Sequence, residues 1–246
     1  GVLFLAITPN LSGLAQTQPA APRFYRVQIM RTNPGMSDEW QRFYQADILP
    51  VLKKNGVKQS VALTRSFGNV REYSISSPLE SLAELDEPGV MQKALGQTAN
   101  RLLSVRHGRY LADWRMLIVT ARPDMGIPAP AGYVGKLAVQ AITNITPGRV
   151  AEYEKGWKEN VLPLSRKTNV KAVLVSKTLF GGDPNSFTAL FVFDSWADLE
   201  KFQGQMAKAT AELKLTAAPP AGVVAHTEWN IVRLMPEMSI MPEAGK

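Results

Sequence analysis

The chain contains no cysteine, which excludes disulfide staples and thiolate metal sites. Histidine is nearly as scarce. His107 and His226 are the only two. Without a clustered carboxylate they fall short of a zinc or iron triad, so no metal site is expected. No segment approaches the roughly 20 apolar residues that a membrane-crossing helix needs. A Gly-x-Ser-x-Gly elbow, a phosphate-binding glycine loop and a His-Glu-x-x-His helix are all missing, so the chemistries they carry drop out. Charge of one sign is in modest excess: 28 Lys and Arg stand against 21 Asp and Glu, a formal net charge of +7. The tight basic pairs, Lys53-Lys54 and Arg166-Lys167, sit near expected helix ends, where cations complement the helix dipole. With no basic stripe, nucleic acid is not an expected partner.

What is present is first of all a repeat. Shifted by 113 residues, Pro34-Gly35 falls on Pro147-Gly148, Leu49-Pro50 on Leu162-Pro163, Val57-Lys58 on Val170-Lys171, and Phe67-Gly68 on Phe180-Gly181. With a drift of two residues, Asp113-Trp114 falls on Glu228-Trp229. Each copy reads alike. A strand (Phe24 to Arg31; Lys136 to Thr143) leads through a Pro-Gly turn to a helix (Ser37 to Asn55; Arg149 to Thr168) with apolar residues at helical spacing. Two hairpin strands follow (Val57 to Ser66 and Arg71 to Ser76; Lys171 to Leu179 and Ser186 to Phe193). A second helix (Leu79 to Val105, broken at Pro88-Gly89; Trp196 to Leu215) and a last strand (Trp114 to Thr120; Trp229 to Leu234) complete the copy.

This is the β-α-β-β-α-β ferredoxin-like order. One such unit leaves a sheet face bare, and a second unit covers it. The expected fold is therefore α+β: two tandem ferredoxin-like units forming a single-chain, pseudo-dimeric α+β barrel, a monomer with pseudo-twofold symmetry. Its closed interior is the default pocket. Residues 23–123 form the first unit, 124–132 a linker, 133–236 the second unit and 237–246 a tail. Ser37 is an expected N-cap, and Gly56 and its counterpart Asn169 are expected left-handed helix terminators. Pro50 and Pro163 should kink both first helices at one place.

Residues 1–22 read differently. The apolar run Val2-Leu3-Phe4-Leu5-Ala6-Ile7, the small residues Gly13 and Ala15, and a Gln/Pro/Ala-rich stretch to Pro22 look like the end of a secretory signal and a flexible lead. The protein is accordingly expected to be exported, periplasmic or extracellular. The competing reading is an apolar arm docked on the core.

The stretch Leu49-Pro50-Val51-Leu52-Lys53-Lys54-Asn55-Gly56-Val57-Lys58 with Phe67-Gly68 resembles the NIPSNAP family. The likeness spans about residues 23 to 120 and 133 to 235. It implies membership of the dimeric α+β barrel group, alongside the antibiotic-biosynthesis-type monooxygenases. That group includes cofactor-independent oxygenases, haem-degrading enzymes and small ligand-binding proteins, so the resemblance implies the fold more than an activity.

Candidate site residues come from the polar and aromatic exceptions to the packing pattern. His107 is the candidate catalytic or haem-ligating residue, with His226 second; the repeat does not superpose them. Arg26, Gln28 and Gln140 are polar on first strands, where apolar residues are expected, and polar groups on a buried face need partners or a ligand. Trp114 and Trp229, each beside an acid, either line a pocket mouth or fill the core, and burial is the commoner fate of tryptophan. Two functions remain open: an exported barrel that binds a small apolar molecule or a partner without a cofactor, or an oxygenase-like or haem-handling enzyme using a pocket in one half.

Overall fold

The computed structural model describes residues 23–130 and 133–241. The expected signal segment lies outside the described residues. Eight strands close one barrel: β1 (Phe24–Thr32), β2 (Val61–Arg65), β3 (Glu72–Leu79), β4 (Leu111–Ala121), β5 (Leu137–Ile145), β6 (Ala172–Phe180), β7 (Ser186–Phe193) and β8 (Val224–Leu234). Around the barrel their order is β1-β3-β2-β8-β5-β7-β6-β4, and every pairing is antiparallel. The first half contributes β4-β1-β3-β2 and the second β8-β5-β7-β6. Two seams, β2–β8 and β4–β6, join them.

Helices cover the outer wall. Those of the first half are α1 (Ser37–Phe43), α2 (Leu49–Lys54) and α3 (Val90–Tyr110); those of the second are α4 (Val150–Gly156), α5 (Leu162–Arg166) and α6 (Trp196–Leu213). Between α1 and α2 runs a π turn, Tyr44–Ile48, and between α4 and α5 another, Trp157–Val161. Pro50 and Pro163 explain both. Each lacks an N–H for the carbonyl four residues back, and its ring crowds that carbonyl, so the preceding turn widens by one residue. The expected kink is thus a wide turn, and it carries Tyr44 or Trp157 inward.

Successive residues of a strand face opposite sides of the wall. On β1, Met30 packs under Trp40 and Tyr44, so Arg26 and Gln28 also face the helices while Tyr25, Val27 and Ile29 face the lumen. The first core gathers Met30, Trp40, Phe43, Tyr44, Tyr73 and Ile75. The second gathers Tyr153, Trp157, Phe187, Phe191 and Phe193. At the end of β2, Arg65 bridges Glu72 and Glu228 at 2.7 Å each.

Local details depart from the sequence expectations. Ser37 opens α1 rather than capping it; the cap position is Met36, and the Ser37 hydroxyl hydrogen-bonds that of Thr32 at 2.8 Å. Gly56 is left-handed as expected (φ 80°), but Asn169 is not. Its side-chain amide donates to the Asp198 carbonyl and its backbone N–H to Gln205, contacts that hold it outside the left-handed region. The segments read as linker and tail begin as packed arms. Met125 is fully buried in the second core, and Met238 is fully buried in the first. Ile127 bridges to Val173, and Ile240 to Ser60.

Candidate functional site

A cavity lies outside the barrel wall, not in the lumen where a closed barrel suggested it. It occupies about 700 Å³ between the β1-β3-β4 face and helices α2 and α3. The wide turn Tyr44–Ile48 and α3 form its helix side. Gly96 breaks α3 with φ 77° and ψ 164°, a conformation open only to glycine.

Four of the residues singled out in the sequence line this cavity. Arg26 and Gln28 come from β1, Trp114 from β4 and His107 from the last turn of α3. Tyr44, from the π turn, faces the same space. Burial pushes its hydroxyl up to about 12, outweighing the opposing hydrogen bond from Ser60, so it remains a phenol.

His107 is 6% exposed and packed among aromatic rings: Phe43 at 5.6 Å and Trp114 at 5.1 Å between centroids. The indole N–H of Trp40, itself fully buried, donates to His107 Nε2 at 2.9 Å. A helix C-terminus favours a cationic histidine. Here desolvation wins and lowers the pKa to about 4. The ring is therefore neutral, and because Nε2 accepts, Nδ1 carries the proton. Among the described residues Nδ1 has no hydrogen-bond partner, and it is not sealed from the cavity space.

The geometry does not suit a haem iron. A neutral imidazole has one lone pair, and in His107 that pair accepts the Trp40 N–H. His226 is exposed, lies within β8 rather than before it, and lines neither cavity. Among the described residues no group of three or more His, Asp or Glu could hold a metal ion.

The other candidates separate. Gln140 faces the lumen, where its side-chain oxygen accepts from Asn230 at 3.4 Å. Trp229 lines a second cavity of about 200 Å³ at the matching place in the other half, with Val139, Ala141, Phe191 and Met206. Neither Trp114 (44% exposed) nor Trp229 (64%) fills a core, which corrects the burial expectation; Trp40 and Trp157 do that work from the first helices. Asp113 and Glu228 point to the opposite face from their tryptophans, as alternation requires. Sequence reading missed the Trp40–His107 bond because 67 residues separate the two. It also missed the arms, although Pro123, Met125 and Ile127 fall on Pro236, Met238 and Ile240 at the same 113-residue shift.

No family model matches the chain, and no curated protein matches it. Solved structures do. A proposed monooxygenase of Lactobacillus acidophilus superposes with a TM-score of 0.58 at 6% identity, over 92% of this chain and 99% of that one. An anthrone oxidase-like protein gives 0.57 at 12% identity, over 88% and 92%. A variant chlorite dismutase of Candidatus Nitrospira defluvii gives 0.52 at 9% identity, over 88% and 93%. At these identities the likeness is one of fold: an α+β barrel of the dimeric, ferredoxin-like type.

Proposed function

We propose that this protein is an exported, NIPSNAP-like fused barrel, built of two copies of one unit, that binds a small and largely apolar molecule in its first half without a metal or prosthetic group. The observation that carries this reading is the convergence of Arg26, Gln28, His107 and Trp114, from two strands and a helix, on one cavity of about 700 Å³. That volume lies within the roughly 300–1,000 Å³ of small-molecule sites. In the second half, Val139 and Ala141 stand where Arg26 and Gln28 stand at the 113-residue shift, so a guanidinium and a side-chain amide from the first strand line the cavity of one half and only the Thr143 hydroxyl that of the other.

A cofactor-independent oxygenase is the second reading, favoured by Arg26 and the Nδ1–H of His107, which could stabilise an oxyanion on a bound substrate. Binding ranks first because general-base work near neutral pH needs a pKa near 7 and a free lone pair. His107 has a pKa of about 4 and an occupied Nε2.

The test is a thermal-shift screen of small aromatic and aliphatic compounds, with a haemin titration beside it. Compounds that raise Tm should do so less in Trp114→Ala, and haemin should give no saturable Soret shift that depends on His107. Hits indifferent to Trp114→Ala would defeat the site. A saturable Soret shift lost in His107→Ala would defeat the cofactor-free reading.

A further inference from the structure

Among the described residues, the Arg26 guanidinium makes no hydrogen bond and no ion pair, although the residue is partly buried on the cavity wall. Such a guanidinium has lost part of its hydration, and nothing in the protein replaces it. The acid nearest in role, Glu84 on the same cavity, is engaged elsewhere: its carboxylate accepts the backbone N–H groups of Glu80 and Ser81 in a capping box. Lys58 and Glu80 line the cavity as well, and among the described residues neither acid, Glu80 nor Glu84, forms an ion pair with Arg26.

The sheet register orders the wall. Arg26, Gln28 and Met30 follow one another on the same face of β1, and Ile118, Met116 and Trp114 lie opposite them on β4. His107 packs against Trp114 at the Met30 end, the two rings tilted at 52°. At about 3.3 Å per residue, Arg26 stands roughly 13 Å from that end. Between the two polar ends the wall is largely apolar, and the His107 end offers an unpartnered N–H.

We propose that this cavity is selective for anions: it takes an amphipathic molecule whose acidic oxygen pairs with Arg26 and whose flat or extended apolar body runs along β1 and β4 toward Trp114 and the Nδ1–H of His107. The proposal deepens the reading of the cavity as a ligand site and depends on it. A planar guanidinium suits a carboxylate or sulfonate, which it can hold through two parallel hydrogen bonds. The matched wall of the second half carries Val139 and Ala141 and no cation, so the preference belongs to one half.

Two fluorescent probes of nearly equal shape separate the possibilities: 1-anilinonaphthalene-8-sulfonate, an anion, and N-phenyl-1-naphthylamine, its neutral counterpart. Both are titrated into the full chain, into Arg26→Gln and into Trp114→Ala. Arg26→Gln should weaken the anionic probe about tenfold or more and leave the neutral probe unchanged; the retained neutral binding shows that the variant cavity is intact. Binding of the neutral probe that depends on Trp114, with the anionic probe absent or indifferent to Arg26→Gln, would overturn anion selectivity and leave the ligand site standing. If neither probe binds, or both are indifferent to Trp114→Ala, the ligand site falls and the selectivity with it.

Discussion

At His107 two effects oppose each other, and their relative size sets what the residue can do. The helix end favours a proton on the ring by about 0.3–2 kcal/mol. Burial among Trp40, Phe43 and Trp114 disfavours it more strongly, which holds the ring neutral down to a pH of about 4. The sign of the linked stability follows. Since the folded pKa lies below the unfolded value of about 6.5, the unfolded chain binds the extra proton, and stability falls as pH drops from about 6.5 toward 4. Between pH 7 and pH 4.5 the wild type should lose about 2 kcal/mol more than His107→Gln, measured by urea unfolding. Equal losses would mean that His107 is not held neutral. The same tautomer can be read directly: imidazole 15N shifts of His107 should report Nδ1–H from pH 8 to pH 5. In Trp40→Phe, which removes the donor to Nε2, the two tautomers should mix.

At the scale of elements, α3 contains its own controlled comparison. Gly96 holds φ 77° and ψ 164° with open space where a Cβ would lie, so an alanine there meets no clash but a strained backbone. Gly108, in the same helix, also faces open space but has an ordinary φ. Gly96→Ala should cost about 1–3 kcal/mol, and Gly108→Ala should gain about 0.4–1 kcal/mol, in denaturant unfolding. Equal effects would show that the break in α3 does not need glycine.

These two glycines also mark where sequence reading succeeds and where it stops. Strand and helix order was legible because periodicity and turn residues are local signals: β7 lies where the pattern puts it, at Ser186–Phe193, and α6 begins at Trp196. The break in the long helix was placed at Pro88-Gly89, but that pair merely precedes α3; the conformational break is at Gly96. Nothing local distinguishes a glycine in a helix that breaks it from one that does not. The candidate site followed the same rule. Arg26, Gln28, Trp114 and His107 stood out one by one as exceptions to packing, but their convergence depends on the β1–β4 register and the Trp40 bond, both long-range. Gln140, an equal exception, fell on the lumen side because it sits one residue out of phase with Arg26 at the 113-residue shift.

At the scale of the whole molecule, the two halves are joined by more than their seams. The arm after β4 crosses to the second half, where Met125 is buried and its carbonyl accepts the Trp157 indole N–H at 2.7 Å. The arm after β8 crosses the other way, burying Met238 and Ile240 against Trp40 and Ala62 and accepting at Ser239 Oγ the Ala62 N–H at 2.9 Å. Each core is therefore completed by chain from the opposite half, and neither half can lose its core without disturbing the other. Met125→Ala and Met238→Ala should each cost about 2–4 kcal/mol. Both should lower the midpoint of one cooperative transition followed by tryptophan fluorescence and by far-UV circular dichroism. Because every strand among the described residues is paired on both sides within the chain, the barrel they form leaves no open sheet edge to recruit another copy. The wild type and both variants should accordingly sediment as monomers. A transition that splits in two in either variant, or a dimer that dissociates when an arm is weakened, would mean that the halves are separable units and that the arms, not the seams, are exchangeable between chains.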